Sequence, residues 1–526
     1  MKKMFRGSIA RVFACFAAVL MAVMVLCTGC SSANADEGGK NQSVNEEETG
    51  NEVRDDIVIA MASEAPTLHP FDHKSVTAGY FNSLTYNCLF MLNIDTLEPE
   101  PDLCQTYAQI DDSTWEFTIY DDIYFHDGSH MTADDVVASM EWAKTFATTS
   151  DYTSFWISVE KTGDYTVKIT TDGPYALTLQ NLASVKIVPA ALIESGHDFG
   201  TDPIGSGPYK FVSQTLGEKV VFVKNEDYFD EEHMPHITNM TWRIIPEGSS
   251  RTIALEAGEV DVIIEVESND TARLEENSGI SVYKADGTRL NFIAMNSEKA
   301  PFDNKDFRKA INAAIDRDAV VTVACNGEGV AAISQAPSVF EGATEAGAEG
   351  YDIEKAKEYL ENSGIDTESL VIPCIVSNDT DRRAAEVIQA CLAEIGVSIE
   401  IENMDYATQL TAVMSGDYEM SLNGYTSSNM YRYLCGLFHS SAIDAANLSR
   451  INDEYVDSLI DLGKTQIDVN ERGATFEKVI KYLNEWTPFV SLYQTSVVRA
   501  ASSELQGFKV SASGNMQFAD VYWAAE

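Results

Sequence analysis

Two apolar periodicities alternate along most of this 526-residue chain, and that alternation restricts it to a mixed α/β architecture. Trp115, Phe117 and Ile119 recur every second position, as do Val167 with Ile169 and Val397, Ile399 with Ile401, so each set marks a half-buried strand. Helical spacing fills the intervals. Thr132 is a suitable N-cap with Asp134 and Asp135 in the first turn, and Val136, Val137, Met140 and Ala143 form the buried stripe. A second helix is expected over 303–316, with Phe307, Ala310, Ile311, Ala314 and Ile315 inward and Arg308, Lys309 and Asn312 outward. A third uses Val387, Ile388, Cys391, Leu392 and Ile395 and stops at Gly396, the residue that most readily takes the left-handed conformation past a helix end. No repeat of about 20 to 50 residues is present. A body of roughly 500 residues exceeds one core, so two or three packed subdomains are expected.

The first 29 residues are of another kind. Lys2, Lys3, Arg6 and Arg11 precede an apolar run from Val12 to Leu26, which is shorter than the roughly 20 residues a bilayer-spanning helix needs. This is the pattern of an export signal. From Ser31 to about Arg54 the sequence is Ser, Asn, Gly and Glu with almost no large apolar residue, and it reads as a tether. Scaling with the square root of length, such a tether holds the body on the order of 25 Å from its attachment.

The leader contains four of the 36 basic residues and no acidic one, so 82 acidic side chains face 32 basic ones in the remainder, a net charge of about −50. That balance excludes nucleic acid as a partner and keeps an exported protein soluble by self-repulsion. Six cysteines lie beyond Cys30, at Cys88, Cys104, Cys325, Cys374, Cys391 and Cys435, without metal-ligand spacing, and read as buried thiols or one disulfide.

Catalytic signatures are missing where they would be expected. There is no G-x-S-x-G elbow, because Gly205-Ser206-Gly207 has the wrong spacing and is followed by Pro208, which makes it a turn. Walker A and H-E-x-x-H patterns are absent. His233 and His236 beside Glu231 and Glu232 make a conceivable metal pair, but Pro235 between them argues for a loop. Asp468, Asn470 and Gly473 imitate the start of a calcium loop, yet Val479 stands where a bidentate glutamate is required. No metal and no cofactor are assigned, and a hydrolase built on an unrecognised carboxylate pair is the weakest reading.

Thr28-Gly29-Cys30, followed by Ser31-Ser32, resembles the lipobox of bacterial lipoproteins, which implies that Cys30 carries the lipid; Cys27 stands where a larger aliphatic is usual. Further on, Phe125-His126-Asp127-Gly128 followed by Thr132-Ala133-Asp134-Asp135-Val136-Val137 resembles the oligopeptide-, dipeptide- and nickel-binding lipoproteins of ABC importers, extracellular solute-binding protein family 5. Four more strings fall in that family's order: Ser63 to Pro70, Ile204 to Tyr209, Ala254 to Asp261, and Arg308 to Arg317. The resemblance implies a two-lobed periplasmic-binding-protein-like (type II) α/β fold with an extra inserted domain, of the cluster C type. Implied boundaries are a lipoprotein signal peptide over 1–29, a tether over 30–54, a first domain over 55–82, 196–290 and 495–526, an inserted second domain over 83–195, and a third domain, the second lobe, over 291–494.

The resemblance also implies a function without covalent chemistry: the lobes close on a peptide or peptide-like solute and present it to the permease subunits of an ABC transporter, the receptor being a monomer held to the outer face of the cell membrane by its lipid. Many peptide-binding relatives carry an aspartate after a strand-end aromatic, where it meets the ligand's α-ammonium. The matching stretch here is Leu422 to Asn429, and no acidic residue occurs from Met420 to Ile443. A buried ammonium without a carboxylate forgoes a bond worth about 1.5 to 3 kcal/mol, which favours blocked or modified peptides. Tyr425 is the leading candidate contact, a rigid aromatic with a polar tip. Asn423 and Asn429 are polar candidates in the same stretch, Arg432 could receive a carboxylate, Glu64 could line the cleft, and His439 completes the set. The alternatives kept open are a nickel, metal-chelate or other small-solute receptor of the same fold, and a sensor or peptide chaperone that feeds no pore.

Overall fold

The computed structural model describes residues 54–524, which belong to one compact unit. Its spine is an eleven-stranded sheet. Ten strands run in the order Ser398–Asn403, Val371–Val376, Met420–Thr426, Ile280–Met295, Phe489–Ser502, Val262–Ile263, Asp56–Met61, Asn239–Ile244, Lys219–Lys224 and Tyr209–Thr215, with Val330–Ala331 attached to Phe489–Ser502. Two central strands, Ile280–Met295 and Phe489–Ser502, are 16 and 14 residues long and belong to both lobes. Ile280–Asp286 pairs with Ser496–Ser502, which joins Val262–Ile263 of the first lobe through Ala500 and Ala501, and Arg289–Met295 pairs with Met420–Thr426 of the second.

Each lobe has its own core. In the first, Ile57, Ile59, Phe222, Trp242, Phe518 and Trp523 pack together. In the second, one cluster lies on each face of the sheet, around Ile311, Ile388 and Leu422 on one side and Phe292, Tyr433 and Phe489 on the other. A separate antiparallel sheet of four strands, Cys104–Asp111, Thr114–Ile119, Thr166–Thr171 and Trp156–Lys161, forms the insert with a core of Phe117, Val136, Met140 and Ile169. The alternation read at Trp115, Phe117 and Ile119 is this sheet's inner face. Thr132 and Asp135 make a reciprocal capping box on the helix Ala133–Ala143.

Four expectations change in detail. The helix over 303–316 is Lys305–Ala314, and Asp316 caps a second helix, Arg317–Ala324. Arg308 and Asn312 do not face out: Arg308 is 2 % exposed, donates to the carbonyls of Phe302, Trp486 and Thr487, and lies 4.0 Å over the Trp486 ring. A guanidinium with that many carbonyl acceptors is buried at less cost than an unpaired one, and periodicity alone does not see the acceptors. Gly207 is required not by turn geometry but by close approach, because a Cβ there would overlap the backbone of Leu84 and Thr85. All six cysteines in the described region are free thiols, so the disulfide alternative falls.

Candidate ligand-binding cleft

Strand direction locates the cleft. In the first lobe Asp56–Met61 runs parallel to Asn239–Ile244 and Val262–Ile263, and the register of Val262–Ile263 against Ala501 and Ala500 aims their carboxyl ends at the second lobe. In the second lobe Val371–Val376 is parallel to Met420–Thr426, whose pairing from Met295 back to Arg289 aims their carboxyl ends at the first. Ligands of open α/β sheets bind outside the carboxyl ends of the strands, and here two such edges face each other. The crossing strands form the floor. Their register breaks between Asp286 and Leu290, where Gly287, Thr288 and Arg289 oppose Thr495, and Arg289 and Thr495 are exposed although Leu290–Met295 and Phe489–Gln494 are buried. Such a bulge bends a strand and loosens its pairing locally. Gln494 Nε2 donates to Gly287 O at 2.7 Å and holds the bulge in place.

Tyr425 is the penultimate residue of the strand Met420–Thr426, half-buried, with its ring 5.9 Å from that of Tyr433. Burial pushes its phenol upward. The ring lies against Gly436 of the helix Met430–Phe438, where a Cβ would strike the phenolic oxygen. Asn423, on the same face of the strand, has a buried Oδ1 with no hydrogen-bond partner. Asn429 is the N-cap of Met430–Phe438, its Oδ1 accepting from Arg432 N at 2.8 Å. Strand, cap and helix therefore hold Tyr425, Asn423 and Asn429 on one side of one edge.

The remaining candidates are engaged elsewhere. Arg432 Nη2 donates to Asp151 O at 2.7 Å and to Asn181 Oδ1 at 2.9 Å, tying the second lobe to the insert. Glu64 Oε2 accepts from Gly217 N at 2.7 Å and caps the turn between Tyr209–Thr215 and Lys219–Lys224. His439 Nδ1 accepts from Ser441 N at 3.1 Å and caps a short 3-10 turn. His233 Nδ1 is 2.8 Å from Asp230 Oδ2. Cys30 lies outside the described residues.

Sequence reading missed what the insert contributes. Gln180 Nε2 donates to Ser428 O at 3.3 Å, and a narrow cavity of about 40 Å³ between insert and second lobe is walled by Leu97, Glu98, Gln180, Glu341, Asn429 and Arg472. That space suits a few waters and not a peptide. Arg472 Nε pairs with Glu341 Oε2 at 2.9 Å, while Glu341 Oε1 is buried without a partner, and burial pushes the Glu341 carboxyl upward. Two acids from distant segments, Glu98 and Glu341, thus line the same cavity as Asn429, while none occurs between Met420 and Ile443. No local pattern announces either residue.

The profile of the bacterial extracellular solute-binding proteins, family 5 Middle, matches residues 98–444. The glutathione-binding protein GsiB of Salmonella typhimurium is 27 % identical over 483 residues, covering 88 % of this chain and 94 % of that protein. HbpA2 from Haemophilus parasuis superposes with a TM-score of 0.83 at 25 % identity, over 89 % of this chain and 100 % of that one. DppA from Helicobacter pylori, an ABC transporter-associated periplasmic binding protein solved with the peptide STSA, gives 0.70 at 25 % identity, over 90 % and 99 %. The hydrolase reading falls, since these are solute-binding proteins and not enzymes. No helix among the described residues is long and apolar enough to cross a membrane. The chain belongs to the bacterial extracellular solute-binding proteins of family 5.

Proposed function

We propose that this protein is the substrate-binding receptor of an ABC importer, capturing a peptide or peptide-like solute between its lobes and presenting it to the permease subunits. The observation that carries this reading is the cleft itself: two sets of strand carboxyl ends face each other across a floor where the two long strands shared by both lobes are bulged, with Arg289 and Thr495 exposed. Rotation at such a floor changes the distance between lobes without breaking either core, which turns ligand binding into a shape a partner can read. The glutathione-binding and peptide-bound relatives support a peptide-like ligand. Tyr425 and Asn423 are the proposed contacts on the second lobe. The domain boundaries proposed are those read from the sequence, with the insert over 83–195. Cys30 is proposed as the lipidated residue of a monomeric, membrane-anchored receptor; incorporation of labelled palmitate that is lost in Cys30→Ala tests it.

The direct test is unfolding of the exported chain against di- to pentapeptides, their N-acetylated forms, glutathione and nickel chelates. A ligand present at 100 times its dissociation constant adds about 2.7 kcal/mol. A shift with peptides or glutathione supports the receptor reading. A shift with nickel chelates alone would transfer the protein to the metal-binding branch.

A further inference from the structure

The cleft floor holds a guanidinium without an ion-pair partner among the described residues. Arg289 is exposed, and its one side-chain hydrogen bond among the described residues runs from Nε to Asn291 Oδ1 at 3.2 Å. Among the described residues it has no carboxylate within 4.0 Å, in a chain with 82 acidic residues. Asp381 feels its charge from beyond ion-pair distance. The seat is built. Asn291 Nδ2 donates to Thr495 Oγ1 at 2.9 Å, which fixes the acceptor Arg289 uses. Gly424 lies beneath, and a Cβ there would overlap both Arg289 Nη2 and Asn291 Oδ1.

The other arginines near these edges are already committed. Arg432 is tied to Asp151 and Asn181, Arg251 to the carbonyls of Ile245, Pro246 and Glu265, Arg499 to Tyr80 and Gly514, and Arg383 to Ala324. Arg382 is paired with Asp379 and Glu386. A guanidinium offers two parallel N–H donors matched to a carboxylate, and its neighbours here leave that fork free. We propose that Arg289, seated on Gly424 at the bulge of the crossing strands, is the ligand's carboxylate-binding residue. This rests on the peptide-receptor reading and adds to it the end of the ligand that faces the floor.

The experiment measures calorimetric binding of trialanine, trialanine C-terminal amide and glutathione to the exported chain and to Arg289→Gln, Arg289→Lys and Gly424→Ala, with thermal unfolding of each variant to establish that it is folded. The native protein is expected to prefer trialanine over its amide by about tenfold or more, the worth of one charge-assisted contact. In Arg289→Gln that preference disappears because only the free acid loses affinity. Arg289→Lys keeps part of it, and Gly424→Ala reduces it by displacing the guanidinium without removing it. Equal loss for acid and amide in Arg289→Gln, or an undiminished preference, overturns the assignment and leaves the receptor reading standing. Absence of binding by all three probes in the native protein overturns both.

Discussion

Replacing Arg432 separates two roles this residue could have, because a joint between insert and second lobe and a ligand contact fail differently. In Arg432→Ala, Asp151 O lies on an exposed residue and recovers water, whereas Asn181 is 2 % exposed and its Oδ1 loses its donor. Leaving one buried acceptor unmet costs about 1 to 3 kcal/mol. Unfolding entropy of about 2.1 cal/mol/K per residue over this chain converts that cost to a melting-point drop of roughly 1 to 3 °C if it unfolds as one unit. Scanning calorimetry without ligand resolves a shift of that size. Trialanine and trialanine amide should weaken by the same factor or not at all. An unchanged melting point with affinity lost only for the free acid would refute the joint and return Arg432 to the ligand.

Three further outcomes are expected. Gly436→Ala pushes the Tyr425 ring, a movable side-chain end, out of its seat, so stability should change by less than about 1 kcal/mol while peptide affinity falls; an intact affinity would remove Tyr425 from the contacts. Arg308→Met strands the carbonyls of Phe302, Trp486 and Thr487 and should lower the unfolding free energy by about 3 kcal/mol or more in a denaturant titration. Burial pushes the Asp102 carboxyl from 3.8 up to about 7, against the opposing hydrogen bonds from Cys88 N and the Asn87 amide. The folded state therefore binds this proton more tightly than the unfolded one, and the associated stability is present below about pH 4 and lost as pH rises through 7. Relative to the native chain, Asp102→Asn should gain ground between pH 4.5 and pH 8, and parallel curves would exclude Asp102 as the cause.

What was legible followed from local physics. The insert's strands, the Thr132 cap and the helix ending at Gly396, whose φ is +79°, are each fixed by neighbours a few residues away, and the order of the motifs was enough to identify the two-lobed fold. The site was legible only in part. Tyr425 lies one residue from the end of a strand at the candidate cleft, and Asn429, which follows it, spends its acceptor on a helix cap. Arg432 and Glu64 read as ligand groups because their hydrogen-bond partners are 281 and 153 residues away in sequence. Arg289 went unremarked for the opposite reason: a single cation beside an apolar strand looks like an ordinary solvent-facing residue until the register shows what is missing around it.

The strand Asp56–Met61 lies between Asn239–Ile244 and Val262–Ile263, the latter closed on its far side by Ala500 and Ala501, while Trp523 Nε1 donates to Asp56 O across 467 residues and Arg54 stacks on the Trp523 ring. A polypeptide emerging amino end first therefore holds its earliest strand without its final partners until nearly everything else has appeared. At about 5 to 20 residues per second, that wait is roughly half a minute to a minute and a half. The first lobe can finish only once Trp523 has been made, so a nascent chain destined for export stays unfinished until then, and losing the segment from Phe508 to Trp523 strips Phe508, Phe518 and Trp523 from the core that Ile57 and Ile59 begin.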